Sequence, residues 1–375
     1  MKPILRFPEF KDEWEINKLG LHTNVIMGQS PSSKNYTNDS NNIVLVQGNA
    51  DLQEGKIYPR IYTTEITKIA EMNDIILTVR APVGELAISQ MKVCIGRGVC
   101  AIKGNTFIYS YLNYLNDKNY WKRIAQGSTF ESISGTDVKN IPLKIPSEKE
   151  QEKIGRFFSK LDQQIELEEK KLQLLEQQKK GYIQKIFSQE LRFKDGSGNE
   201  YPEWEEKTIK DVYKVTRGYV LARKLMSDSP NSINKYPVYS SQTSNNGLMG
   251  YYSDYLYQDA ITWTTDGANA GSVSFRQGKF YCTNVCGVLL NELGNSNVCM
   301  AEMLNNIAFK YVSKVGNPKL MNNVMAMIKL KFPCLEEQQA ISKFLNVFSE
   351  VIDNQNKKVE LLKERKKGFL QKMFV

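Results

Sequence analysis

Histidine is almost absent: His22 is the single one among 375 residues. With one imidazole and no serine, cysteine or acid that can be matched to it, no Ser-His-Asp or Cys-His set can be assembled, which argues against acid–base catalysis of that kind. A GxxxxGK[ST] phosphate loop is missing too. The fragments GKI at 55–57 and GKF at 278–280 carry no hydroxyl after the lysine, so the chain is not expected to hydrolyse ATP. An Asn-Pro-Pro-Tyr loop of the amino-methyltransferase type is also lacking; Asn317-Pro318-Lys319 is one Asn-Pro in a turn. No apolar run reaches the ~18 residues of a membrane span, and the opening MKPILRFPEF lacks the basic-then-apolar order of a secretory leader. A cytoplasmic location is therefore expected. Cysteines are few: Cys94, Cys100, Cys282, Cys286, Cys299 and Cys334. They lie mostly in apolar runs without a compact four-ligand set, which favours buried thiols over zinc.

What is present is a net charge of +9 carried by 50 basic residues, and a repeat. The charge favours a polyanion as partner. About forty residues occur twice: PSEKEQEKIGRFFSKLD leading to KKGYIQKIF, and PCLEEQQAISKFLNVFSEVID leading to KKGFLQKMF. Pro146 and Pro333, Ile154 and Ile341, Gly181 and Gly368, and Phe187 and Phe374 all stand 187 positions apart. Upstream, Trp14, Glu15 and Gly28 return as Trp204, Glu205 and Gly218, 190 positions later. The duplication thus includes the sequence before each helix.

Each repeated segment has apolar residues stepping by three and four. Ile154, Phe158, Leu161, Ile165, Leu172, Leu175, Tyr182 and Ile186 answer Ile341, Leu345, Phe348, Ile352, Val359, Leu362, Phe369 and Met373. This is a heptad seam. The simplest pairing packs the two helices against each other, antiparallel, as a rod of ~60 Å at 1.5 Å per residue with a lobe at either end. Polar residues break the seam at matched places, Glu168 and Lys179 in one copy, Gln355 and Lys366 in the other, as expected of positions that fix register. A second apolar set lies off the seam: Phe157, Leu174, Ile183 and Phe187, with Phe344, Leu361, Leu370 and Phe374. Either it packs on the lobes as core, or it forms a duplicated docking surface for two copies of one partner.

The expected organisation is a first globular domain over 1–145, a helix over 146–190, a second globular domain over 191–332 and a helix over 333–375. Short β-rich runs such as NIVLVQG and DIILTVRAPVGELAI in one lobe, and YPVYSS and AITWTTDGANAGSVSF in the other, alternate with turns, and YSYLNYL and AEMLNNIAFKYV read as helices. The fold class is α+β, two similar domains joined by two long antiparallel helices with pseudo-twofold symmetry. Polar loops at 32–42 and 240–247 suit base edges, and Lys34, Arg80, Arg97, Arg217 and Lys319 could grip guanine or phosphate. The Gly-rich turns at 80–84, 96–98 and 265–271 permit close approach of a ligand.

The junction GSTFESISGTDVKNIPLKIPSEKEQEKIGRFFSKLD resembles the DNA-specificity subunits of type I restriction-modification enzymes. Gly127, Ser128, Thr129, Ile133, Ile141, Pro142, Pro146, Glu150, Gln151, Ile154, Leu161 and Asp162 carry the likeness. The second junction agrees at Gly316, Pro333, Glu337, Gln338 and Ile341, with Ser349 in place of the aspartate and Lys331 ahead of the segment where Ile-Pro stands in the first.

The resemblance implies two target recognition domains, each reading half of an asymmetric bipartite site in double-stranded DNA, with helices that set the unread spacer. It also implies two modification subunits that bind S-adenosylmethionine, and restriction subunits that use ATP and Mg²⁺, so that cofactors belong to partners and no catalytic site, metal or cofactor is expected in this chain. By the same likeness Arg80, Arg97, Gln126, Ser128, Thr129, Gln242, Asp266, Asn284, Lys319 and Asn322 are candidates for DNA contact. A coiled-coil scaffold without DNA specificity would explain the helices, but not two diverged basic lobes with polar loops.

Overall fold

A computed structural model of the chain describes residues 3–125, 131–241 and 244–374. It resolves into two compact units, Met1–Lys170 with Asn356–Val375, and Lys171–Gln355. The two long helices, Glu148–Phe187 and Leu335–Met373, each contribute one part to either unit. The architecture is α+β.

In the first unit, Glu15–Lys18 pairs antiparallel with Pro142–Ile145 just ahead of the long helix. The central sheet runs Val25–Met27, Val99–Ile102, Ile75–Thr78, Leu86–Ile88, each pair antiparallel, and two short strands extend it. A second, five-stranded sheet includes Ile43–Val46 parallel to Val93–Ile95. Ile75, Ile76 and Leu77 are buried on both faces, so this strand reads as an unbroken apolar run rather than an alternating one. The helix Thr106–Asp117 covers the sheet, and the Asn105 side chain caps it by accepting from the Ile108 N–H.

The second unit repeats that plan. Glu205–Thr208 pairs with Lys329–Phe332, and the sheet runs Lys214–Arg217, Cys286–Leu290, Tyr257–Thr264, Val273–Cys282, all antiparallel. Tyr236–Tyr239 then joins Val273–Cys282 in parallel. Asn297 caps the helix Val298–Ala308 by accepting from the Met300 N–H. The two lobes share the order of the first four sheet strands and differ beyond them, while the parallel pairing of Ile43–Val46 with Val93–Ile95 recurs as that of Tyr236–Tyr239 with Val273–Cys282.

Gly28 and Gly218 show why a glycine follows the first sheet strand in both lobes. A Cβ on Gly28 would lie 2.1 Å from the Gly96 carbonyl oxygen, and one on Gly218 would lie 2.1 Å from that of Cys282. Two backbones meet there without room for a side chain.

Within each unit the long helices run antiparallel. In the first, Asp162 pairs with Lys366 at 2.5 Å, Glu169 with Lys363 at 2.9 Å and Glu168 with Lys358 at 2.5 Å. In the second, Lys179 Nζ donates to Ser349 Oγ at 2.9 Å, and Tyr182 meets Phe344 and Phe348 edge-on. The polar seam positions Glu168, Lys179 and Lys366 are thus all paired.

Of the two readings of the off-seam residues, core or duplicated docking surface, most of them follow the first. Phe374 is 0 % exposed, sits among Trp14, Phe107, Tyr111 and Phe158, and shares the first core with Leu370; Phe157 packs against that core. Ile183, Phe187 and Phe344 pack against the second core. These six are lobe-facing because the helix ends are built into the lobes. Of the eight, Leu174 and Leu361, 58 % and 64 % exposed, present apolar surface outward. For the same reason the cores do not stop at residues 145 and 332, where lobe and helix were expected to separate.

Candidate nucleic-acid interface

At one end of each central sheet four chain segments are joined by backbone hydrogen bonds. In the first lobe Gly28 N donates to Val99 O, Gln29 N to Ile95 O, Val79 N to Gly98 O, Ala81 N to Glu131 O and Ile133 N to Val79 O, all at 2.9–3.0 Å. In the second, Gly218 N donates to Cys286 O, Tyr219 N to Cys282 O, Thr265 N to Val285 O, Gly267 N to Pro318 O and Leu320 N to Thr265 O, at 2.9–3.1 Å. Bond for bond the two sets correspond, with every donor and acceptor 186–190 positions apart. A bridge from the turn after the central strand completes the match: Arg80 to Ser132, and Asp266 to Lys319.

This frame holds its backbone groups in mutual bonds, so what it offers a ligand is side chains. They differ between the lobes. Arg80 stands where the second lobe has Asp266, Arg97 where it has Asn284, and Ser132 where it has Lys319. Arg80, Arg97, Arg217, Asn284 and Lys319 are exposed, and Asp266 and Asn322 half-buried. Asp266 faces Lys319 at 3.8 Å and accepts from the Thr265 hydroxyl, whereas Asn322 Nδ2 donates to Thr216 O. Ser30 Oγ accepts from the Arg97 N–H at 3.1 Å and fixes the turn that presents the guanidinium. Among the described residues Arg80, Arg97 and Arg217 have no acidic partner within 4 Å. Unpaired guanidiniums at the end of a sheet are able to fork onto guanine or phosphate.

Lys34 is exposed on the short turn Ser33–Asn35, outside the five-bond frame. Its counterpart turn, Arg223–Leu225, carries Arg223 and Lys224; sequence reasoning missed these, although the 190-residue offset points to them. Gln126, Ser128, Thr129 and Gln242 lie outside the described residues.

The repeated Glu-Gln of the junction has a structural role. Glu150, 1 % exposed, accepts two 2.8 Å bonds from Arg6 and one from Trp14 Nε1. Glu337, 0 % exposed, accepts from Arg192 and from Trp204 Nε1. Each carboxylate raises the pKa of its arginine, first through the hydrogen bond. Gln151 donates to Pro146 O and accepts from the capping Asn105, as Gln338 does with Pro333 and Asn297. The pair therefore locks the start of each long helix to its lobe. The Ile-Pro of the first junction finds its counterpart at Ile328 and Lys329 rather than around Lys331, since Leu19 N donates to Ile141 O and Ile209 N to Ile328 O.

Among the described residues no group of three or more His, Cys, Asp or Glu side chains could hold an ion. Five of the six cysteines are buried, and burial pushes the Cys100 thiol up to about 12 and the Cys286 thiol to about 11. No helix among these residues is long and apolar enough to cross a membrane.

The sequence profile of the type I restriction modification DNA specificity domain matches residues 11–177 and 201–364. The chain is 33 % identical over 196 residues to a putative type I restriction enzyme MjaX specificity subunit of Methanocaldococcus jannaschii, covering 50 % of this chain and 45 % of that one. It is 31 % identical over 246 residues to a putative type I specificity subunit, S.MpnORF365P, of Mycoplasma pneumoniae, covering 62 % and 84 %. In fold it is similar to the S subunit of a type I restriction-modification system from M. genitalium, with a TM-score of 0.66 at 16 % identity over 100 % of this chain and 99 % of that one. That family supplies the specificity component of such systems, not the catalytic one. With two matches that together take in most of its length, the chain belongs to the type I restriction modification DNA specificity family.

Proposed function

We propose that each lobe reads one half of an asymmetric, bipartite sequence in double-stranded DNA, through the side chains that its five-bond frame presents at the sheet end. The observation that carries this reading is the frame itself: one backbone scaffold, built twice, displays Arg80, Arg97 and Ser132 in one lobe and Asp266, Asn284 and Lys319 in the other. Identical scaffolds position a reader; different side chains change what it reads. The net charge of +9 favours the DNA backbone over uncharged partners.

In this reading the chain acts as a specificity subunit for two modification subunits that methylate adenine using S-adenosylmethionine, with restriction subunits using ATP and Mg²⁺ in a larger complex. The helices set the unread spacer and dock the modification subunits, for which Leu174 and Leu361 are the outward apolar candidates. Sequencing the methylome of a host that expresses this chain with its modification partner tests the reading. The expected motif has two different half-sites at constant spacing. A palindromic motif, or a pattern unchanged by the chain, would overturn it.

A further inference from the structure

The second lobe encloses a cation that none of the described residues neutralises. Arg276, on the strand Val273–Cys282, is 8 % exposed. Its guanidinium lies 3.9 Å from the centroid of the Tyr239 ring, and its Nε donates to Thr262 Oγ1 at 3.1 Å. Burial lowers its pKa, and no carboxylate is among the groups that raise it. A buried arginine is ordinarily paired with an acid.

Arg276 lines a cavity of about 200 Å³ together with Ser240, Thr262, Asn269, Ser272 and Ser274. Thr262 Oγ1 already donates to Ser274 O and Asn269 Nδ2 to Ser241 O, so the donors left for an oxyanion are the Ser272 and Ser274 hydroxyls, the second amide hydrogen of Asn269 and the planar guanidinium fork, which matches phosphate geometry. The volume falls below the ~300–1,000 Å³ of pockets for drug-sized molecules, which disfavours a whole nucleoside. It leaves room for a tetrahedral oxyanion with water at ~30 Å³ per molecule. The cavity backs onto the reading frame: Ser240 Oγ and Thr283 Oγ1 are 2.9 Å apart, and Thr283 precedes Asn284. In the first lobe Ser89 stands 187 positions before Arg276 and donates to Met91 O, so the feature belongs to one lobe only.

We propose that the Arg276 cavity is a seat for a phosphate-type oxyanion, supplied either by a phosphodiester of the DNA held at the adjoining frame or by free phosphate. The DNA source rests on the proposed function; the free ion does not.

The test uses the full chain as wild type, R276M and R276K. Its first arm follows the melting temperature as sodium phosphate replaces KCl at constant ionic strength. Its second measures affinity for a fluorescein-labelled mixed-sequence duplex across KCl concentrations. Phosphate is expected to raise the wild-type melting temperature by several degrees beyond KCl, R276M to lose that response and R276K to keep part of it. For a DNA phosphate, the slope of log affinity against log salt falls by about one in R276M, and phosphate competes with the duplex. A phosphate response that depends on Arg276 beside an unchanged slope assigns the seat to the free ion. Should R276M fail to fold, the wild-type and R276K responses decide. Wild type and variants that respond alike to phosphate and share one DNA slope overturn the seat. A wild type that binds no duplex yet keeps an Arg276-dependent phosphate response overturns the proposed function and leaves the seat standing.

Discussion

Two carboxylates, Glu150 and Glu337, bind the chain's duplicated halves to their helices, and each is buried against an arginine and a tryptophan. Removing one member of a buried ion pair leaves the other charge desolvated, which costs about 3–5 kcal/mol. Glu337→Ala should therefore destabilise the chain on that scale in urea unfolding, while Trp204→Phe, which deletes one hydrogen bond and trims the indole to a phenyl ring, should cost about 2–3 kcal/mol. A different behaviour is expected at the surface. Lys56 and Lys170 bond Glu166 and hold its carboxyl at about 2. Because that pKa lies below the unfolded value near 4.5, the stability it supplies is present above the unfolded pKa and is lost as pH falls toward 2. The groups are largely exposed, so Glu166→Gln should remove less than ~1 kcal/mol at pH 7 and flatten the acid limb of stability against pH between about 4.5 and 2.

The long helices are structural elements of the lobes as much as connectors. Phe374, at the end of the second helix, is surrounded by aromatic rings of the first lobe, so Phe374→Ala should cost about 3–5 kcal/mol by thermal or urea unfolding. Leu361→Ala, on an exposed face, should leave stability within about 0.5 kcal/mol. Periodicity in the sequence located both helices to within two or three residues and found their seam, because heptads record which face is apolar. It could not say what covers an off-seam face, since a core and a docking surface demand the same residue types; packing of Phe157, Ile183 and Phe374 on the lobes decided that. Repeat arithmetic exposed Gly28 and Gly218, glycine-rich runs exposed the turns that hold Arg80, Arg97 and Asp266, and Asn284 came only with the family resemblance. The arginines of the two hubs, Arg6 and Arg192, were not legible: they meet partners about 145 positions away, and no local pattern announces such a meeting. Arg276 escaped notice for a similar reason, being one basic residue in a strand until its neighbours are known.

For the whole molecule, the proposed function makes specificity a matter of side chains on a twice-built frame and spacing a matter of helix length. Helices of 40 and 39 residues extend ~60 Å each. Inserting a few residues into one helix should lengthen the unread spacer in the methylome while leaving both half-sites unchanged; altered half-sites at constant spacing would refute that assignment. The lobes should also be separable in effect, because Arg97 and Asn284 occupy matching turns of different lobes. The most direct measurement is methylome sequencing of hosts that carry the modification partner with wild-type chain, Arg97→Ala or Asn284→Ala. Each variant is predicted to relax base preference in one half-site, a different one in each case. Relaxation of both half-sites by either variant, or of neither by both, would contradict the claim that the two frames read independently.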